Sequence, residues 1–576
     1  MATLSALDPA PSVDVPPDTP EVKMAAVEAG RSSAGLVATI HAGNGVVQVA
    51  RLVKLADEAD RQAFAAAVAE ATTVAPCFIQ DGLLDLIGGI EGALRQSTAS
   101  ASVQRGSQAT QLVALAEAAE LFHDAAGDAY ATVASEGHRE TYAVRAKGFR
   151  RWLARAYYER HEKAPGSQAL QDALSVLDGK AQYDGPELPV FTRLGEHAGA
   201  IYLDLANDTW EAVAITADGW HVTDHPPVKF RRSRGMLPLP HPRSGGSIDL
   251  LAPFINIEDH DDDWHLLVGW LIAALRPQGP YPILVLHGEQ GSAKSTTARV
   301  LRSLIDPNKA GLRSEPREPR DLMVAAHNSW IIALDNLSHL SPWLSDALCR
   351  LSTGGGFSTR ELFTDQDETL FDAQRPCVLN GIEELATRGD LLDRSIILYL
   401  PSIPPGQRRP ERAFWQQFER ERPQMLGALC DVVSHALRRL DTVEVTELPR
   451  MADLAQWVTA GESKLGWEPG AFLNAYQRNR SAANSLALEA SSLVLPLRSV
   501  AKGGFHGTAT KLLTRLNDTV PDDIRREKGW PRNARALSGA LRRLAPNLRE
   551  VGIDVAFLGQ QGESRERMIL VSSRQE

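Results

Sequence analysis

Residues 283–297 read Ile283-Leu-Val-Leu-His-Gly-Glu-Gln-Gly-Ser-Ala-Lys-Ser-Thr-Thr297. A short apolar run, a glycine-rich turn and a Lys-Ser pair follow one another, in the order typical of a phosphate-binding loop between a buried strand and a helix. The glycines allow the backbone to turn so tightly that its N–H groups can point at phosphate oxygens. The helix that follows would direct the positive end of its dipole at the same anion.

Within this stretch, Lys294 is predicted to reach the β- and γ-phosphates of ATP, and the Ser295 hydroxyl to hold Mg²⁺. The motif asks for glycine directly before the lysine, and Ala293 stands there instead. The alternative interpretation is an ordinary glycine turn with a solvated lysine. The residues predicted to bind nucleotide are Gly288, Glu289, Gln290, Gly291, Ser292, Ala293, Lys294, Ser295 and Thr296.

Length and composition favour a globular protein of several domains. The 576 residues are enough for about three or four domains of usual size, and 43% hydrophobic and 23% charged residues are ordinary values. The sequence has neither a long uncharged apolar span nor a signal-peptide pattern, so we expect a cytoplasmic protein without a membrane partner. The four cysteines form no Cys-x-x-Cys pair, which argues against a zinc knuckle. A net charge of −11 argues mildly against a large DNA footprint.

The pattern of residues divides the chain into seven regions. They are a disordered lead over 1–30, a helical region over 31–110, a small α+β region over 111–185, a small β-rich unit over 190–250, an ATPase core over 251–404, a helical region over 405–500 and a winged-helix domain over 505–576. The alternative for the basic tail is a capping subdomain with a solvated face. A basic helix over 145–158 interleaves arginines with aromatic residues, which suits either nucleic-acid contact or an ordinary amphipathic helix.

Three further residues stand at the ends of predicted strands. Asp335 lies 41 residues after Lys294 and ends the apolar run from Trp330, and Asn380 ends a second run 45 residues later. Arg394 follows 14 residues on, before a fourth run. Singly, each has an ordinary alternative: a helix cap, a turn residue or a surface ion pair. Strand ends on one edge of a parallel sheet converge on one crevice, so the ordered series predicts a Mg²⁺ carboxylate, a water-orienting amide and a phosphate-contacting arginine.

Residues 260–401 resemble the superfamily 3 helicase domain, an AAA+ relative of phage, plasmid and viral replication proteins, and in particular the ATPase half of primase–helicases. The matching features are the loop Gly288–Ser295, Asp335, the sensor Asn380, the arginine finger Arg394 and the segment Leu351–Arg360 that leads into a DNA-contacting hairpin. The fold class implied is α/β: a P-loop AAA+ ATPase core with a parallel sheet, preceded by a mixed α+β N-terminal region and followed by a helical region and a winged-helix domain.

The resemblance also implies ligands and partners. ATP and Mg²⁺ would be the cofactors, single-stranded DNA the substrate, and the assembly a homo-oligomeric ring, a hexamer, with a separate primase or other replication proteins as partners. DNA contacts are expected from Arg360, Arg542, Arg543, Arg565 and Arg567. Asn336 occupies the position where the family has a second acid, and an acidic stretch follows Arg360. Residues 1–190 carry no signature of primase chemistry.

The sequence therefore predicts an ATP-dependent DNA helicase or helicase-like replication ATPase of a phage, plasmid or integrated mobile element, which hydrolyses ATP at subunit interfaces. Two alternatives remain open. One is a DNA-binding AAA+ remodeller or loader that does not unwind DNA. The other is a nucleotide-gated regulatory or defence module with little turnover. Asn336 favours the alternatives, because an amide cannot accept a proton from water as a carboxylate does.

Overall fold

The protein was analysed as a computed structural model, which describes most of the chain. The described residues are 21–29, 33–42, 45–54, 58–72, 107–257, 261–355, 357–360, 368–371, 373–381, 389–445, 447–489, 491–527, 529–561 and 566–573. By its internal contacts the chain divides into two units, one of residues 1–117 with 150–177 and one of residues 118–149 with 178–576. The disordered lead predicted for residues 1–20 lies outside the described residues.

The N-terminal unit contains an antiparallel three-stranded sheet. Its strands β1 (Glu21–Ala29), β2 (Ser33–Ala42) and β3 (Gly45–Lys54) pair in sequence order. Helix α1 (Glu58–Thr72) follows, and α2 (Gln108–Leu115) lies further along the chain. The disordered lead is thus wrong for 21–29, and the helical region for 33–54. Alanine favours helix by intrinsic propensity, but the β-branched valines of β3 fit a pleated sheet, and strand pairing decides the outcome.

The next elements contain the predicted basic helix. Strands β4 (Glu120–His123), β5 (Ala129–Ser135) and β6 (His138–Ala143) form a second antiparallel sheet. The helices that follow are α3 (Lys147–His161) and α4 (Ser167–Tyr183). In α3, Phe149 and Tyr157 are buried, and the exposed Arg155 pairs with Glu159 at 2.7 Å. The structure favours the amphipathic helix, because two of its aromatic rings pack inside and are not available to stack on bases.

The β-rich unit is a four-stranded antiparallel sheet of order β11-β10-β9-β8 beside a short parallel pair, β7 with β12. The strand bounds are β7 (Val190–Phe191), β8 (Leu194–His197), β9 (Ala200–Asp204), β10 (Ala212–Thr216), β11 (Gly219–Thr223) and β12 (Lys229–Phe230). Its inward residues belong to the same hydrophobic cluster as the central strands described next. The unit and residues 251–404 therefore share one core.

A buried arginine joins this unit to the central domain. Arg193 is fully buried, and its Nε donates to Oδ1 of Asp306 at 3.2 Å, while Nη1 donates to the carbonyl of Asp204 at 2.9 Å. The other oxygen of Asp306 accepts from the backbone N–H of Trp330 at 2.9 Å. An unpaired buried charge would cost much free energy, so this ion pair holds the β-rich unit and the central domain in one arrangement.

The central domain is built on a four-stranded parallel sheet of order β14-β17-β13-β18. Its strands are nearly continuous apolar runs, as expected where helices cover both faces. A 3₁₀ helix (Ile248–Phe254) precedes the domain. Its elements are α5 (Asp261–Ala274), β13 (Ile283–His287), α6 (Lys294–Ile305), α7 (Pro319–Asn328), β14 (Ile332–Leu337), α8 (Pro342–Thr353), β15 (Phe357–Arg360), β16 (Glu368–Phe371), β17 (Cys377–Gly381), α9 (Gly389–Leu392) and β18 (Ser395–Tyr399).

Three long helices follow the sheet. They are α10 (Glu411–Arg439), α11 (Ala452–Leu465) and α12 (Ala471–Glu489). Buried residues of α10 and α11 join the same core as α5, whose residues 266–274 are apolar and buried on every side. Within the described residues no helix combines the length and apolarity needed to cross a bilayer.

The C-terminal region has its own core. Its elements are α13 (Val494–Lys502), β19 (Phe505–Thr508), α14 (Ala509–Thr519), α15 (Asp522–Arg526), α16 (Ala534–Glu550), β20 (Ile553–Gln561) and β21 (Glu566–Ser573). The three strands form an antiparallel sheet of order β19-β21-β20. Leu537, Leu541 and Leu548 repeat at helical spacing and bury one face of α16.

Candidate functional site

The loop between β13 and α6 has the backbone that its glycines allow. Gly288 has φ +151° and Gly291 φ +87°. A Cβ on Gly288 would lie 2.3 Å from the carbonyl oxygen of Leu400, so this position excludes every other residue without movement. Ala293, directly before α6, has φ +63° and ψ +23°, in the left-handed region where alanine is strained. The position where the motif asks for glycine thus has a backbone conformation that glycine adopts without strain and alanine does not.

The lysine lies within the curve of this loop. Lys294 Nζ donates to the carbonyl oxygens of Gly288 and Glu289, each at 2.7 Å. Burial lowers the pKa of Lys294, while the charge of Asp335 acts to raise it. The side chains of Glu289 and Gln290 are exposed. An anion entering the loop would replace the carbonyl groups as partner of the lysine, with a full charge in place of a dipole.

The predicted metal ligands contact each other. The Ser295 hydroxyl donates to Oδ1 of Asp335 at 2.8 Å. Ser295 is in the first turn of α6, next to the half-buried Thr296, and Asp335 is near the end of β14. A hydroxyl and a carboxylate oxygen so close to each other beside the glycine-rich loop fit the oxygen donors that Mg²⁺ prefers. Among the described residues, no group of three or more His, Cys, Asp and Glu side chains is arranged to hold a metal ion.

Asn380 lies on β17, the strand between β13 and β14. It is buried at the end of β17, where it pairs with Leu286 of β13. Its Oδ1 accepts the backbone N–H of Asn336 at 2.8 Å, and its Nδ2, also buried, has no hydrogen-bond partner in the described part of the chain. A buried donor without a partner is costly. Its presence beside Asp335 supports the fit of a ligand or water at this position.

Arg394 lies at the other end of the same strands, where their amino ends are. The next residue, Ser395, pairs with Ile283 at the start of β13, whereas the loop follows the end of that strand, about 13 Å further along. Nη1 of Arg394 donates to the carbonyl oxygen of Asp390 at 2.7 Å. Within one chain, therefore, Arg394 and Lys294 do not belong to one crevice.

The residue before this arginine is held by two others. Asp393 accepts from Nη1 of Arg450 at 2.6 Å and from Nη2 of Arg480 at 2.5 Å. Arg450 precedes α11 and Arg480 lies in α12, so the helical region fixes the chain at Arg394. The family's second acid is absent at Asn336, and Asp346 is another carboxylate that could substitute for it. Asp346 lies in α8 one turn before Cys349, whose sulfur is 3.9 Å from Asp390. That neighbourhood is the Arg394 edge of the sheet.

The predicted DNA contacts fall in two places. Arg360 ends β15 and pairs in register with Glu368 of β16, so the two strands form the expected hairpin. Arg542 and Arg543 are exposed on α16, and Arg567 is exposed on β21. The Arg542 guanidinium lies 4.9 Å from the ring centre of Phe557. Arg565 lies outside the described residues.

Two contacts of the loop were not predicted from sequence. Asn256 Nδ2 donates to the carbonyl oxygens of Ser292 at 3.0 Å and Pro401 at 2.6 Å. The backbone N–H of Ile403 donates to the carbonyl of Gly291 at 3.3 Å. The segment after β18 therefore lies along the loop. No local motif marks either residue.

Two family models match the chain. Residues 248–478 match the actinomycete integrative conjugative element replication protein, and residues 490–576 match the C-terminal domain of the same RepA protein. Together they cover more than half of the chain. Each model alone covers less than half of the chain, and both describe the replication protein of an actinomycete integrative conjugative element. The matches include the loop, both sheet edges and the C-terminal sheet. They therefore support a replication protein of a mobile element, as the sequence predicted, and name a conjugative element as its kind.

Other comparisons add little. No curated protein matches the chain. Two solved apo structures of the NrS-1 C-terminal region are similar at 11% and 10% sequence identity. The first covers 80% of this chain and 97% of that one with a TM-score of 0.36, and the second 80% and 98% with a TM-score of 0.32. Likenesses at this level carry no argument about this protein.

Proposed function

We propose that this protein is an ATP-dependent DNA helicase or helicase-like replication ATPase of the superfamily 3 AAA+ kind. The observation that carries the proposal is the hydrogen bond between Ser295 and Asp335 beside Lys294. Ser295, in the first turn of α6, and Asp335, near the end of β14, are 40 residues apart in sequence, and their types are those that phosphate and Mg²⁺ require. An ordinary glycine turn gives no reason for this convergence.

Each residue has a role in this proposal. Lys294 would neutralise charge on the β- and γ-phosphates, and the loop N–H groups would bind their oxygens. Mg²⁺, held by Ser295 and Asp335, would supply further neutralisation of the phosphate charge. Asn380 would donate its free Nδ2 to the attacking water or the γ-phosphate. Arg394, at the far sheet edge, would serve the nucleotide of a neighbouring subunit, as expected where copies pack head to tail in a ring.

DNA contact would use the hairpin and the C-terminal region. One Arg360 from each subunit would bring several cations into a central pore, where backbone phosphates are held without base preference. The helix and strand order of residues 494–573 is that of a winged helix, with α16 as the helix offered to DNA. The exposed Arg542 and Arg543 on that helix support this assignment.

The experiment is steady-state ATP hydrolysis with and without single-stranded DNA. The full chain is compared with Lys294→Ala and with Lys309→Ala, an exposed lysine outside the loop that serves as control. We expect DNA to stimulate hydrolysis in the parent and the control, and Lys294→Ala to abolish it. Robust hydrolysis by Lys294→Ala would disprove the loop assignment. Strand separation by the parent would then distinguish a helicase from a DNA-stimulated loader.

Asn336 favours a second candidate, a nucleotide-gated remodeller or switch with little turnover. Its exposed side chain stands beside Asp335 where a catalytic acid is expected, and its backbone N–H is engaged by Asn380. A comparison of ATP binding with ATP hydrolysis distinguishes the two candidates. ATP binding at normal affinity with negligible hydrolysis, with or without DNA, would support the switch and contradict the motor.

A further inference from the structure

Hydrogen bonds at three places hold the segment after β18 against the loop. Leu400 N–H donates to the carbonyl of His287 at 2.8 Å, and Ile403 N–H donates to that of Gly291 at 3.3 Å. Asn256 bridges Ser292 and Pro401. Residues 401–408 contain three prolines, which restrict the backbone further. The backbone of this segment is thus held beside the loop.

Arg408 is the cation that this segment brings to the loop. Its Nη2 lies 3.5 Å from the position that a Cβ on Gly291 would occupy. The side chain is exposed, and in the described part of the chain its guanidinium makes no hydrogen bond or ion pair. A guanidinium this close to Gly291, in the loop that the proposed function assigns to phosphate, would be placed to donate hydrogen bonds to an anion bound there.

Neighbouring residues explain how Arg408 is positioned. Arg409 is engaged elsewhere, since its Nη1 donates to the carbonyl of Pro253 at 3.1 Å and its guanidinium lies 5.4 Å from the ring of Phe414. Glu411, at the start of α10, is 3.7 Å from Arg299 of α6. These contacts anchor the chain on the far side of Arg408 and leave its own side chain available to a ligand.

We propose that Arg408 binds the phosphate chain of the nucleotide within its own subunit, in addition to Lys294. This inference rests on the proposed function, because it takes a nucleoside polyphosphate as the ligand of the loop. It differs from the role proposed for Arg394, which would act across a subunit boundary. Arg408 would contribute to affinity in a single chain, with or without ring assembly.

The test is isothermal titration of the full chain with ATP, ADP and adenosine, each with Mg²⁺. Arg408→Ala should weaken ATP and ADP binding by roughly tenfold to a hundredfold, the range of a hydrogen bond to a charged group, and leave adenosine binding unchanged. Arg408→Lys should give intermediate affinity, because it retains the charge and loses the forked geometry. The exposed Arg420 on α10 supplies the matched control, and Arg420→Ala should bind all three as the parent does.

The outcomes separate the two proposals. If the parent binds ATP and Arg408→Ala binds ATP with the same affinity, the role of Arg408 is disproved and the proposed function stands. An equal loss of adenosine affinity would also disprove a phosphate contact. If the parent binds neither ATP nor ADP, the proposed function fails and this inference with it. Thermal unfolding of each variant checks that a loss of affinity does not come from loss of the fold.

Discussion

Gly288 is the position in the loop where a single methyl group has the largest predictable effect. Its φ of +151° lies outside the regions that alanine adopts, which costs about 1–3 kcal/mol. The added Cβ would stand 2.3 Å from the Leu400 carbonyl oxygen, so the strand end must move. That movement weakens the hydrogen bond from Leu400 N–H to His287, about 1 kcal/mol more. Gly288→Ala should therefore lower the free energy of unfolding of the central domain by about 2–4 kcal/mol.

Denaturant unfolding followed by tryptophan fluorescence measures this change, since Trp270 and Trp330 are buried in the central core. The matched control is Gly406→Ala in the neighbouring segment, where φ is not positive and a Cβ meets nothing within 4 Å. We expect the unfolding midpoint of Gly288→Ala to fall and that of Gly406→Ala to stay at the parent value. Equal midpoints for Gly288→Ala and the parent would refute the argument from backbone geometry, because the contact with Leu400 would then not exist.

Two further substitutions, one in the loop and one beside Arg394, lead to testable predictions. Ala293→Gly should raise the free energy of unfolding by about 0.5–1 kcal/mol, because relief of left-handed strain exceeds the entropy that glycine adds to the unfolded chain, and an unchanged or lower midpoint would contradict this. Asp393→Ala should leave ATP affinity near the parent value and lower the rate of hydrolysis, because Arg450 and Arg480 would no longer hold the chain before Arg394. A matching loss of ATP affinity, measured by titration, would instead indicate general damage to the domain.

Much of the central sheet could be predicted because its signals are local. The apolar runs ending at Asp335 and Asn380 form strands, and parallel strands place their carboxyl ends on one edge. That rule places Asp335 near the loop that follows β13, and Ser295 contacts Asp335 from the helix after this loop. The same kind of signal was misleading in residues 33–54, where alanine-rich composition was interpreted as helix. There the pairing of β2 with β3 outweighs a propensity difference of less than about 1 kcal/mol per residue.

The contacts that were missed are those without a local pattern. Arg193 and Asp306 are 113 residues apart, and nothing in either neighbourhood indicates that they meet as buried ions. The sequence divides residues 190–250 from the central domain because a proline-rich link separates them, yet one core contains both. Position in the sequence therefore predicts the domain boundary poorly here, since a buried ion pair and shared apolar surface decide which segments form a domain.

The position of Arg408 illustrates the same limit at the site itself. In sequence it belongs to a basic, proline-rich segment that any solvated linker could contain. The proposed role depends on the attachment of that segment to the loop through Ile403, which lies within the segment, and through Asn256, which lies 145 residues before Pro401. An arginine in a free linker would spend most of its time away from Gly291 and lose entropy on binding phosphate. Because these hydrogen bonds order the backbone during folding, less of the interaction energy of Arg408 would be lost to entropy if it binds nucleotide as proposed.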